Sequence, residues 1–149
     1  MATNQKTYRK SIQNCDWPLD QLPGLSEQDR KQLSTAGITN TGQLLKKADT
    51  ANQRQALANY LQIQIQYVNK WVALADLARL PAVGCDYCGL LLHAGVGSVS
   101  QLSQMPTHRL YQQVLRLQVA TMQRRDLCPS VEIVQQWIQQ AQTLETKHI

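Results

Sequence analysis

Charge is sparse in this chain. Only 17% of its 149 residues are Asp, Glu, Lys or Arg, which excludes a disordered acidic or basic tail. Glycine and proline are also few, at seven and five. With β-branched residues scattered singly, that scarcity points to helices. No apolar run approaches the roughly 18 residues that a membrane span needs. The opening Met1-Ala2-Thr3-Asn4-Gln5-Lys6 has no apolar stretch, so no secretory signal and a cytoplasmic location are expected. There is no P-loop and no G-x-G-x-x-G. His93, His108 and His148 have no nucleophile–carboxylate arrangement beside them in sequence, so no enzyme is expected.

What is present is an apolar fraction of 43% and a polar remainder rich in glutamine, with 22 of them. A chain of this length removes roughly 68–70% of its unfolded surface on folding, so neither disulfide nor metal is required for a core. The net charge of +5 mildly favours anionic partners.

The chain repeats itself. Leu22-Pro23-Gly24-Leu25-Ser26 faces Leu80-Pro81-Ala82-Val83-Gly84 at an offset of 58, and the register continues. Leu33, Ala36 and Gly37 face Leu91, Ala94 and Gly95, and Gln43-Leu44 faces Gln101-Leu102. Later the offset is 66, with Val68-x-x-Trp71-Val72 facing Val134-x-x-Trp137-Ile138 and Ala75 facing Ala141. Two ordered blocks, the second with a rare Trp, indicate a duplication with about eight residues inserted in the second copy. Residues 1–20 are read as a partly flexible arm, 21–79 as repeat one and 80–149 as repeat two.

Cap signals divide each copy into short helices. Ser26, with an acidic Asp29 three positions on, starts a helix that Gly37 stops. Further helices are predicted from Thr41 to about Lys47, from Asn52 to about Leu61 and from Gln64 to about Leu80. In the second copy they run from Gly84 or Cys85 to Ala94, from Ser98 to Gln104, from Pro106-Thr107 to about Arg125, and from Pro129-Ser130 to about Thr146. The alternating Gln62-Ile63-Gln64-Ile65-Gln66 is read as a loop entering a helix, not a strand. Trp71 and Trp137 read as core residues, and Trp17-Pro18 is expected to anchor the arm on the first hairpin.

Leu-Pro-Gly-Leu-Ser and Leu-Pro-Ala-Val-Gly, each followed by Ala-Gly-Ile or Ala-Gly-Val, resemble the helix-hairpin-helix motif. With Val68-x-x-Trp71-Val72-x-x-Ala75-Asp76-Leu77-Ala78-Arg79-Leu80 and Pro129-Ser130-x-x-x-Val134-x-x-Trp137-Ile138-x-x-Ala141, the chain is similar to a bacterial family of tandem helix-hairpin-helix proteins. That family is catalogued as a domain of unknown function. The resemblance covers about Leu22 to Leu144 and implies an all-α fold: two duplicated helix-hairpin-helix halves packed as one compact unit.

Such hairpins often hold a nucleic-acid backbone, with glycines allowing approach and helix N-terminal amides meeting a phosphate. Gly24 and Gly84 are the candidates. Glu27 and Asp29 fill the first turn after Gly24; they stabilise the helix by roughly 0.3–1 kcal/mol each and repel a phosphate. After Gly84 the first turn is Cys85-Asp86-Tyr87, without a cation. Tight packing corners are therefore the favoured reading of both. The other candidates for phosphates are Arg109, Arg116, Arg124 and Arg125 on or just after one helix.

Cys85-Asp86-Tyr87-Cys88 is a C-x-x-C at a helix start, where the helix N-terminus favours thiolates. With Cys128 and Cys15 as further ligands it leaves open a zinc ion, an iron–sulfur cluster or a redox pair. No cofactor is the favoured expectation. In the resembled motif the fourth residue after Gly84 is a small buried Ala, which makes Cys88 a packing residue. The leading expectation is a non-catalytic binding module that acts mainly on another protein. Nucleic-acid backbone binding is the alternative, and metal or redox regulation the second alternative.

Overall fold

The computed structural model describes residues 15–122 and 129–146. Among these residues the chain is all-α, without a strand; one isolated β-type bridge joins Pro18 and Asn40. A 3-10 turn, Leu19–Gln21, comes first. Then follow α1 (Glu27–Thr35), α2 (Thr41–Lys47), α3 (Ala51–Leu61), α4 (Ile65–Ala78), α5 (Gly84–His93), α6 (Val99–Ser103), α7 (Thr107–Met122) and α8 (Val131–Thr146). None is long and apolar enough to cross a membrane.

Local chemistry explains the helix limits. Ser26 Oγ accepts from the Asp29 amide at 3.0 Å while Asp29 Oδ2 accepts from the Ser26 amide at 3.1 Å, a reciprocal capping box. Thr50 and Gln53 repeat the arrangement at the start of α3. Asn40 and Ser98 cap α2 and α6, accepting from the Gln43 and Gln101 amides at 2.8 and 3.0 Å.

Helix ends are equally regular. Gly37 has φ +85°, its amide bonds the Ser34 carbonyl, and the Ile38 amide bonds the Leu33 carbonyl. Gly95, with φ +99°, does the same through Leu92 and through the Val96–Leu91 bond. Both are Schellman ends, in which the residue after the glycine packs on the last turn. Leu33, Ile38, Leu91 and Val96 are all buried there. Helix α3 ends in the same way, but with Gln62 at φ +57° in the glycine position.

Helix α4 has a wide apolar face, with Val68, Trp71, Val72, Leu74, Ala75, Leu77 and Ala78 buried and Gln66, Asn69 and Lys70 exposed. Such a face turns to the core, and α2, α3 and α5 pack on the helix. Helix α8 is a second centre of packing. Its Val134, Trp137, Ile138, Ala141 and Leu144 are buried, with α6 and α7 packed against it. One apolar core runs through both groups.

The stretch before α1 is a strap. The Trp17 amide donates to Thr41 Oγ1 and the Thr41 amide returns a bond to the Trp17 carbonyl, both at 2.9 Å. The Cys15 amide reaches the Arg79 carbonyl. Trp17 Nε1 donates to the Ala78 carbonyl at 2.7 Å, at the end of α4. The expectation that Trp17 anchors on the first hairpin is corrected here: its ring lies at the second, beside Gly84. The cause is the indole N–H, which finds its acceptor among the unpaired carbonyls of the α4 C-terminus.

Candidate functional site

The second hairpin, Leu80 to Gly84, is held from both sides. Its Ala82 amide donates to Gln140 Oε1 at 2.9 Å, and its Ala82 carbonyl accepts from Trp137 Nε1 at 3.0 Å. The Val83 and Gly84 amides both bond the Leu80 carbonyl. Tyr87 lies on Trp137, with ring centroids 5.0 Å apart. Three successive amides are thus spent inside the fold. Gly84 is buried at φ +54°, and a side chain there would begin 3.4 Å from the Trp17 ring.

The first hairpin is more open. A 3-10 turn precedes it where α4 precedes the second. Gly24 is exposed at φ +84°. A methyl group added there would lie 3.6 Å from Leu74 Cδ1 and 4.0 Å from Lys70 Nζ. The Ser26 amide is taken by Asp29. Lys70 is thus a cation at this corner that adjacent sequence does not reveal, because it arrives from α4.

Cys88 is fully buried and Cys85 half-buried. The Cys88 thiol lies 3.8 Å from the Cys85 carbonyl, as a donor would. Burial and then the Asp86 carboxylate push the Cys85 thiol up to about 11. Burial, then Cys85, pushes Cys88 up to about 12. The helix N-terminus was expected to favour thiolates; desolvation outweighs it, and both groups hold their protons at neutral pH. Burial and the neighbouring Asp16 also raise Cys15. Among the described residues no three His, Cys, Asp or Glu side chains gather as a metal site. Cys128 lies outside the described residues, as do Arg124 and Arg125.

Arg109 and Arg116 are exposed on α7, opposite buried Leu110 and Val114. Neither has an ion pair among the described residues. The stripe therefore lies away from both hairpin corners in sequence, and two of its four arginines are placed on a solvated face.

Among the described residues, two concavities open on the surface. One, of about 430 Å³, lies where Arg54, Asn69, Asp76, Arg79 and Ser98 converge. Its charges are matched. Arg79 pairs with Asp76 at 2.8 Å, and Asp76 also accepts the Val99 amide at 2.7 Å. The other, of about 610 Å³, is shallower, lined by α1, α2 and α3 residues including Lys46, Lys47 and Tyr60. Tyr60, 60% exposed, and Tyr67, 50%, are the exposed large apolar side chains among the described residues.

Fold and site together define a small domain, all-helical among the described residues, in which the amides of the Ala82–Gly84 corner are paired internally. The family model "Domain of unknown function (DUF4332)" matches residues 23–144, and the chain belongs to that family. No curated protein and no solved structure matches it.

Proposed function

We propose that the chain is a non-catalytic adaptor module that works by protein–protein contact, built from two duplicated helix-hairpin-helix halves. The duplication is supported by hydrogen bonds that recur in the sequence register. Gln43 Oε1 accepts the Thr39 amide and Gln101 Oε1 the Gly97 amide. The two Schellman ends also correspond at the offset of 58. At the second offset, Leu74 meets Gly24 as Gln140 meets Ala82.

The observation that carries the adaptor reading is the commitment of the second hairpin's amides to Gln140 and to the Leu80 carbonyl. A phosphate arriving at Ala82, Val83 or Gly84 finds those three amides already paired and meets Asp86 in the next turn. Exposed Tyr60 and Tyr67 instead resemble the aromatic anchors of protein interfaces. Affinity capture with the tagged chain, with and without nuclease, tests this reading. The same discrete proteins should be retained in both arms. Loss of every captured protein on nuclease treatment would refute it.

Backbone binding of nucleic acid is the second reading, and one observation favours it. Lys70 stands at the exposed first hairpin, where Gly24 permits close approach. Glu27 and Asp29 oppose it from the next turn.

A further inference from the structure

We infer that the concavity between α1, α2 and α3 docks an acidic segment of a protein partner through one aliphatic or aromatic anchor residue. The inference rests on the protein-binding reading above and gives it a place and a chemistry. The apolar surface it offers comes from exposed Ala56 and Tyr60, with Ile38 and Leu57 buried beneath them. The rim is aromatic and cationic, with Tyr60 at 60% exposure and Lys46 exposed. Lys47 is exposed too, and its ammonium is fixed at 2.8 Å from the Ala36 carbonyl, which leaves its other donors for a ligand.

Charge decides the occupant. No lining residue is acidic here, whereas Asp49 and Asp76 line the other concavity, where they balance Arg54 and Arg79. The opening of about 610 Å³ is large enough for a bulky side chain with its flanking backbone. Carboxylates on those flanks meet Lys46 and Lys47, which speeds encounter and fixes orientation. The apolar surface favours a protein side chain over nucleic acid. A backbone of phosphates would use the two lysines and leave exposed Ala56 and Tyr60 uncovered.

The test is selection of a random-peptide phage library on the immobilised full chain. Anisotropy titration of the winning peptides follows. Enriched peptides should carry one Leu, Ile, Phe or Trp flanked by Asp or Glu. Their affinity should fall about tenfold or more in Lys46→Glu/Tyr60→Ala. It should survive in Lys46→Arg/Tyr60→Phe, which keeps charge and ring and guards against a folding defect in the first variant. Acidic peptides that bind the Glu/Ala variant equally would overturn this site and leave the adaptor reading standing. Enrichment of basic or neutral peptides would overturn the charge argument. No enrichment, with a short single-stranded oligonucleotide binding through Lys46, would overturn both.

Discussion

Replacing Trp137 by Phe should destabilise the fold more than the lost ring volume explains. Trp137 is fully buried, and its Nε1 supplies the Ala82 carbonyl at 3.0 Å. Phe keeps an aromatic ring against Tyr87 but removes the donor. An acceptor left without its partner at this part-buried site costs up to about 1–3 kcal/mol, and the smaller ring adds about 1 kcal/mol of lost packing. The expected total is about 2–4 kcal/mol. At about 2–4 °C per kcal/mol for a chain of this size, the melting temperature should fall by about 4–16 °C. Trp71 is the internal control. It is 2% exposed and has no indole bond among the described residues, so Trp71→Phe should cost the packing share alone. Urea unfolding followed by circular dichroism measures both variants, with unchanged slopes confirming a pure stability effect. Equal losses in the two variants would refute the claim that the Trp137 bond holds the second hairpin.

Further outcomes follow from particular groups. Gln62→Gly should raise stability by up to about 1 kcal/mol in urea unfolding, because Gln62 occupies the left-handed region at φ +57° that glycine adopts without strain. Asp76→Ala should cost about 1–3 kcal/mol by the same measurement, since one half-buried carboxylate serves both Arg79 and the Val99 amide. The thiols titrate later in the folded chain than their ordinary 9.0, at about 11 for Cys85 and about 12 for Cys88. The folded state therefore binds more protons above pH 9.0. Stability is whole below that pH and declines as pH rises through the two folded values. Urea midpoints measured across that range should show the decline, and Cys88→Ala should shrink it. Iodoacetamide at mildly alkaline pH should label Cys85 slowly and Cys88 only on unfolding.

The helix limits were legible because caps are local chemistry. Ser26 with Asp29, and Gly37 and Gly95, each settle their own boundary within a few residues. The core stripes of α4 and α8 followed from helical spacing. What sequence alone could not supply were contacts between distant elements. Gln140 meets Ala82 across 58 residues, and Trp17 meets Ala78 across 61. A glutamine among 22 carries no mark of such a role. Its signal, visible only under the proposed duplication, is that Gln140 takes the place of apolar Leu74. The direction of the thiol shift is not legible in the sequence for a related reason. The N-terminal position of the C-x-x-C is a local feature, whereas burial of Cys88 depends on the packed core.

The most direct test of the central claim, that these hairpins are packing corners and not phosphate grips, is amide chemical-shift mapping of the isotope-labelled chain. The titrant is a short DNA duplex at low salt. Gly24, Leu25, Ala82, Val83 and Gly84 should stay unmoved. Saturable shifts at either hairpin that disappear as salt is raised would contradict the account. Shifts confined to Gly24 and Leu25 would place the grip at the Lys70 corner.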